Sequence, residues 1–347
     1  MDVSKIIRQS WKQNINRLKL RSAGFAKPVC RHDPESIMVF ITNRCNFACN
    51  TCPFTQPSPW SPPANVPDIS TRLFEQIIRR YSGATMVGLV GGEPLLHPNL
   101  DELVHIATKA KMDVNISTNG SLLTEDKIHH LLKLPLGFIN ISLDAADENE
   151  FKRLRGGSTQ TYQLVKRNAA RLGKMRRDVN DHISFKLSFV TDSLNIHRIP
   201  EFFDLARELG ADTVFCQSVL SYQCSHVTSG DTVLWDTPEN RQIIQSVTVP
   251  SDIEFVPPLL VPIATDDLSV RCIHPFKLLA CDGAGNLSPC CVIPPHHRFG
   301  SLSDDLDTWH NGDALQVFRI EMLEDKPASQ GICLQCWERF SLDQHKK

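Results

Sequence analysis

The sequence predicts an α/β fold: a partial, TIM-like (β/α)6 barrel followed by a small cysteine-bearing C-terminal domain. Three observations predict it. Short apolar, β-branched runs alternate with longer amphipathic segments from about residue 36 to residue 220. Several of those runs end in small or polar residues. A second group of cysteines follows a proline-rich stretch.

The first part, residues 1–35, opens with MDVSKIIRQSWKQNINRLKLR, which carries six basic residues and one acid. Ile7, Trp11, Ile15 and Leu18 recur at helical spacing, which predicts a basic amphipathic helix packed by that face on the main domain, with membrane-surface contact as the alternative. No apolar run there is long enough for a signal peptide or a membrane span, so a cytoplasmic protein is expected.

The barrel is expected over 36–235. Its strand-like runs are IMVFIT, TMVGLVGG, DVNISTNG, FINISLD, SFKLSFVT and TVFCQSV, and between them lie TRLFEQIIRRYSG, NLDELVHIATKA, EDKIHHLLKL, TYQLVKRNAARLGKM and IPEFFDLARELGA. Strand then helix, repeated, predicts right-handed crossovers and a parallel sheet; six units are too few for a closed eight-stranded barrel and enough for an open one. The ends Gly91-Gly92-Glu93, Thr118-Asn119-Gly120 and Ser142-Leu143-Asp144 then emerge together at the C-terminal edge, where parallel folds place their chemistry. Periodicity weakens after Ser221, and VPSDIEFVPPLLVPIATDD is rich in proline, so 236–270 is expected as a linker and 271–347 as the C-terminal domain.

The 347 residues, 41% of them hydrophobic, suffice for an ordinary packed core. Thirty-seven basic and 39 acidic residues leave a formal charge of −2, too balanced for a nucleic-acid partner. Twelve cysteines in a chain of this size point to metal ligation or catalysis rather than disulfides.

Cys45, Cys49 and Cys52 form C-x3-C-x2-C on the loop after the first strand. Thiolates are soft ligands that suit iron–sulfur clusters or zinc. A zinc site wants a fourth ligand close by, yet the next histidine is His97 and the nearest upstream cysteine is Cys30. Three thiols on a cubane leave one iron free.

These residues resemble the radical S-adenosylmethionine superfamily, and VGGEPLLHP, with Gly91, Gly92, Glu93 and Pro94, is similar to its GGEP motif. The resemblance implies a [4Fe-4S] cluster on Cys45, Cys49 and Cys52, with S-adenosyl-L-methionine on the unique iron and its amine held at the GGEP segment. STNG, ISLD and FKRLRGG also look similar to the family, which implies contacts to the cofactor's ribose and carboxylate from Thr118, Asn119, Ser142, Asp144 and Arg155. Turn formation or helix capping is an equally good reading for Asn119 and Asp144. Thr51 departs from the pattern, since many members carry an aromatic residue there.

Cys272-x12-Gly285-x4-Cys290, followed by Cys333-x2-Cys336, offers four soft ligands in two separated pairs, which alone suit a zinc ribbon or a fully ligated cluster equally. Beside a radical S-adenosylmethionine domain the pattern resembles the SPASM extension or its shortened twitch form. No cysteine follows Cys336. The resemblance therefore implies one auxiliary [4Fe-4S] cluster on Cys272, Cys290, Cys333 and Cys336, with Cys291 the alternative to Cys290.

Of the remaining cysteines, Cys30, Cys216, Cys224, Cys281 and Cys291, small core residues are the general expectation, and Cys216 is the exception that could face substrate as a hydrogen donor. His296-His297 is expected in a solvated loop.

The leading functional expectation is an oxidoreductase: a 5′-deoxyadenosyl radical takes hydrogen from a small molecule, such as a sugar or aminocyclitol, and the auxiliary cluster takes the second electron. A flavodoxin or ferredoxin is the implied electron donor. The alternatives are an epimerase with a cysteine hydrogen donor, a maturase of ribosomal peptides, and a non-catalytic metal-binding protein.

Overall fold

The structure is a computed structural model that describes residues 3–22, 25–220, 222, 232–263, 269–297, 299–301, 309–324 and 326–344. Helix α1 (Val3–Ser22) precedes the strand β1 (Ser36–Thr42). The chain then alternates through α2 (Thr71–Arg80), β2 (Met86–Gly91), α3 (Leu100–Lys109), β3 (Asp113–Thr118), α4 (Glu125–Leu131), β4 (Phe138–Ser142), α5 (Glu148–Arg155), α6 (Thr159–Val179), β5 (Ser184–Thr191), α7 (Ile199–Leu209) and β6 (Thr213–Ser218). Local chemistry starts several of these helices: the side chains of Ser70, Thr124, Asp147 and Ser158 each accept a bond from a first-turn backbone N–H. Gly156 and Gly210 end α5 and α7 in the left-handed conformation that glycine adopts without strain.

The expected six strands are present, and the sheet goes further. The stretch 236–270, expected as a linker, contains α8 (Pro238–Ser246) and a strand β7 (Glu254–Val256) that pairs in parallel with β6. Beyond it come α9 (His274–Lys277), β8 (Leu278–Asp282), β9 (Leu287–Ser288), α10 (Asp313–Leu323) and α11 (Ser341–Gln344). The sheet order is β7-β6-β5-β4-β3-β2-β1-β8-β9, parallel throughout except for the β8–β9 hairpin. Its two edge strands, β7 and β9, are not paired with each other, so the barrel is open. Strand β8 flanks β1 in parallel, which stitches the C-terminal cysteine segment directly to the barrel sheet.

Register decides which side chains face the helices and which face the barrel interior, because successive residues on a strand point to opposite sides. Val39, Leu89, Ile116, Ile139, Leu187 and Val214 are buried under the helices together with Phe74, Leu103 and Phe202 from those helices. Burying each such side chain contributes about 1.5–3 kcal/mol. The opposite face carries Ser117, Asn140, Ser142, Lys186, Ser188 and Gln217, which line a cavity of about 450 Å³. A sheet covered on both faces would read as continuous apolar runs; this alternation records an inner face that meets a cavity.

Helix α1 departs from expectation in its orientation. Trp11 and Leu18 are each 64% exposed, while Gln13, Asn16 and Leu20 are buried. Gln13 Nε2 donates to the carbonyls of Ala84 and Lys111 at 3.1 and 2.8 Å, and Asn16 Nδ2 donates to those of Asp33 and Gly83, each at 3.1 Å. Amides outcompete the apolar stripe here because the surface they meet is made of loop carbonyls that need donors. The Ile7 side chain lies outside the described residues. No helix among the described residues is long and apolar enough to cross a membrane.

Candidate active site: two cysteine clusters flanking the barrel cavity

The first cluster is built on the loop leaving β1. That loop is held by the GGE segment: Gly92 N donates to Thr42 O at 2.7 Å and Glu93 N to Arg44 O at 2.8 Å. A Cβ on Gly91 would sit 2.3 Å from Thr42 O, and one on Gly92 2.3 Å from Arg44 O. Both glycines are therefore demanded by the close approach of two backbones, and at Gly91 also by its φ of +128°.

Glu93 is fully buried, and its carboxylate accepts from Leu95 N at 3.1 Å, Thr118 Oγ1 at 2.7 Å and Asn119 N at 2.7 Å. Burial raises its pKa against the pull of those three donors. These contacts let Glu93 tie the ends of β2 and β3 and leave its carboxylate one further acceptor site. Pro94 opens the short 3-10 turn Pro94–Leu96 that Glu93 caps. Asn119 passes the connection on: its Nδ2 donates to Asn46 Oδ1 at 2.8 Å and reaches Cys45 Sγ at 4.0 Å.

Arg155, the last residue of α5, is the electrostatic centre of this cluster. Its Nη1 donates to Asp144 Oδ2 at 2.7 Å, and its guanidinium stands 5.4 Å above the Phe47 ring. Burial opposes the charge of Arg155, and the sulfurs of Cys49, Cys52 and Cys45 together with Asp144 outweigh it, holding its pKa above the usual range. Burial pushes the Cys49 thiol up to about 12. Arg155 Nε is buried beside these cysteines with no hydrogen-bond partner among the described residues, while the Asp144 carboxylate also accepts from the Val190 backbone N–H. Buried polar atoms are ordinarily satisfied, so this guanidinium nitrogen offers a donor to a polar ligand. Asp144 itself has φ +62°, a conformation that aims its side chain at Arg155.

The second cluster lines a separate cavity of about 210 Å³: Cys272, Cys290, Cys333 and Cys336 all border it, and so does Cys291. Cys272 lies just before α9, Cys290 follows β9, and the C-x2-C pair sits on the 3-10 turn Gly331–Gln335 and its cap. Backbone bonds from Arg271 N to Arg339 O (2.7 Å) and from Leu342 N to Arg271 O (2.8 Å) clamp the two halves. Burial pushes the thiols of Cys272 and Cys290 up to about 12, and those of Cys333 and Cys336 well above the usual thiol range. Thiols so placed stay protonated until a metal supplies the compensating charge.

A single tetrahedral zinc would draw its sulfurs to about 3.8 Å of one another, given Zn–S of about 2.3 Å. Among the described residues no three of these cysteine sulfurs lie mutually within 4.8 Å. The soft donor set suits an iron–sulfur cluster or zinc. The one described trio that does crowd a point is Cys30, His32 and His310. There the buried Arg319 guanidinium already supplies the cation, 3.2 Å from His310 Nδ1.

Between the clusters lies the 450 Å³ barrel cavity, bordered by Gly91 and Ser142 on one side and by Tyr222, Cys291 and Val292 on the other. Tyr222 spans the two cysteine loops: Ser58 Oγ donates to its carbonyl, and its hydroxyl donates to Val292 O at 3.0 Å. Phe215, Gln217, Cys291 and Val292 border both cavities and form the wall between them.

Cys216 requires a correction. It is 3% exposed within the helix-side core, paired in register with Phe189, while its neighbours Phe215 and Gln217 take the cavity face. It does not face the cavity, so it is not placed to act as a hydrogen donor there; among the described residues Cys291 is the thiol that borders it. The alternation held the signal, because Gln217 could not have faced the apolar core. Tyr222 and Cys291 carried no such signal, since each reaches the cavity from an irregular loop. Cys281 is fully buried in the core beneath the helices, and Cys224 lies outside the described residues. His296 and His297 are half-buried rather than solvated, with the His297 ring 4.5 Å from Trp60.

Residues 39–206 match the family model of the radical SAM superfamily. The PqqA peptide cyclase of Gluconobacter oxydans (strain 621H) is 32% identical over 183 residues, covering 52% of this chain and 48% of that protein, so the chain matches about half the length of this curated relative. Among solved structures, Streptococcus suis SuiB bound to S-adenosylmethionine superposes with a TM-score of 0.63 at 16% identity, over 88% of this chain and 71% of that one. The structure of native anSMEcpe with bound AdoMet superposes with a TM-score of 0.62 at 14% identity, over 88% of each chain. At these identities the structural matches speak to the fold. The family match covers β1 to β5, and the loop within it gathers three cysteines about Arg155 and Asp144, so residues 39–206 read as a radical SAM domain.

Proposed function

We propose that this protein is a radical SAM enzyme that modifies a peptide, with one cluster and S-adenosylmethionine at Cys45, Cys49 and Cys52 and an auxiliary cluster at Cys272, Cys290, Cys333 and Cys336. The observation that carries the catalytic assignment is the buried Arg155 guanidinium, its Nε unpartnered among the described residues, beside the thiols of Cys45, Cys49 and Cys52. The fit is chemical: soft sulfur donors for iron, and a buried cationic donor for a ligand carboxylate. When bound, the group supplies one-electron cleavage of a sulfonium to a 5′-deoxyadenosyl radical. The chain's own residues do the rest: Glu93 and Asn119 hold the ends of β2 and β3 in place, Arg155 neutralises Asp144, and the inward faces of the strands shield the cavity from water.

The substrate reading follows the 32% identity to a peptide cyclase, and it displaces the expectation of a sugar or aminocyclitol. A cavity of about 450 Å³ is within the range of ligand pockets and takes one or two side chains of a longer peptide. The cavity-facing position of Cys291, rather than Cys216, leaves the epimerase reading without its named donor. A flavodoxin or ferredoxin is the class of electron donor this assignment calls for.

The test is anaerobic reconstitution with iron and sulfide, reduction, addition of S-adenosylmethionine and quantification of 5′-deoxyadenosine, first alone and then with a peptide panel or a panel of sugars and aminocyclitols. Formation of 5′-deoxyadenosine, with stimulation by peptides and a mass change in a peptide, is the expected result. Stimulation by the sugar panel alone would sink the peptide reading, and absence of 5′-deoxyadenosine throughout would sink the catalytic one.

A further inference from the structure

We infer that Lys186 selects a substrate bearing a carboxylate; the inference rests on the barrel cavity being the substrate chamber. Lys186 is the third residue of β5, in register with Asn140 on β4 and Thr213 on β6, and it takes the inward face. No aspartate or glutamate among the described residues lines this cavity, and Ser117, Asn140, Ser142, Ser188, Gln217 and Tyr222 give it hydroxyl and amide groups. The Lys186 ammonium lies 4.7 Å from the Phe138 ring centroid. The nearest acid in the same cross-strand row is Glu254 on β7, and its Oε2 is taken by Thr213 Oγ1 at 2.8 Å.

A cation–π contact offsets only part of the cost of holding an ammonium in a cavity without a counter-ion. A ligand carboxylate would complete the pair with a charge-assisted hydrogen bond, and a neutral isostere would leave the charge unmatched. The cofactor's own carboxylate is not the partner. Lys186 stands five residues before the C-terminal end of β5 at Thr191, about 16 Å along the strand at about 3.3 Å per residue, away from the edge where Arg155 and the first cysteines gather. A lone ammonium among neutral hydroxyl and amide neighbours matches the single charge of a carboxylate, whereas the larger charge of a phosphate calls for further cations or clustered backbone N–H groups beside the lysine.

The experiment is ligand-observed NMR on the full-length, anaerobically reconstituted protein with three probes: N-acetylglutamate N-methylamide, which carries a side-chain carboxylate; N-acetylglutamine, which carries a terminal one; and the neutral N-acetylglutamine N-methylamide. One of the acidic probes should bind at least about tenfold more tightly than the neutral probe, and which one does so identifies the source of the carboxylate. The preference should collapse in both Lys186→Met and Lys186→Gln and persist in Lys186→Arg. Equal binding of the neutral probe, binding of none of the three, or a preference that survives both neutral substitutions overturns the inference. The radical reading fails by a different readout, the absence of 5′-deoxyadenosine from the unmodified protein.

Discussion

The two cysteine clusters differ in what surrounds them. The N-terminal triad sits among charged and amide groups, Arg155, Asp144 and Asn119. The C-terminal set brings five sulfurs to one cavity of about 210 Å³, whose walls include Phe215, Val270 and Phe318 beside His274, Glu338 and Arg339. Three thiols fall one short of the four that close a cubane, and five exceed them. The difference teaches that thiol number, rather than polarity of the surroundings, separates the two groups, since both keep charged neighbours.

Breaking the triad tests the comparison hardest. Replacing Cys45, Cys49 and Cys52 with alanine should abolish 5′-deoxyadenosine formation and reduce iron from about eight to about four per chain, as read by product chromatography and iron assay. Iron that stays at about eight would mean that the triad holds no cluster.

The C-terminal surplus is sharpened by separating its adjacent pair. Cys290→Ser should lose about four irons, while Cys291→Ser keeps about eight, if Cys290 is the ligand. The reverse pattern would assign the ligand to Cys291 and free Cys290.

Arg155→Met should leave Asp144 buried without its partner and destabilise the protein by about 3–5 kcal/mol. Denaturant midpoints would measure this, and weakened S-adenosylmethionine binding in calorimetry should accompany it. A variant of unchanged stability that binds S-adenosylmethionine normally would remove Arg155 from the site.

The smallest effect belongs to Cys216→Ala. Loss of one sulfur from the core should cost about 1 kcal/mol, with 5′-deoxyadenosine formation unchanged. A large loss of activity at wild-type stability would reinstate a direct role.

Much of the barrel was legible because its signals are local. The runs of β1 to β6 and the helices α2, α3, α4, α6 and α7 were readable from hydrophobic period. So was the C-x3-C-x2-C loop, because its ligands are close in sequence. Helix α5 was not, since its eight residues read as a motif around Arg155. Strand β7 was hidden in proline-rich sequence, where three residues pair only because β6 is already in place. The orientation of α1 inverted its apolar stripe because the surface it meets is made of carbonyls.

By itself the sequence determined the parallel α/β order, the edge at which strand ends collect and the two cysteine groupings, since each depends on residues within one turn, one strand or one loop. Only the tertiary structure decided that β8 extends the barrel sheet, that Glu93 ties β2 to β3, that Cys216 faces away from the cavity, and that Lys186 stands inside it with no acidic lining residue among the described residues. Those outcomes depend on register and on contacts between residues far apart in the chain, and a one-residue shift in strand pairing would reverse which side chains the cavity meets.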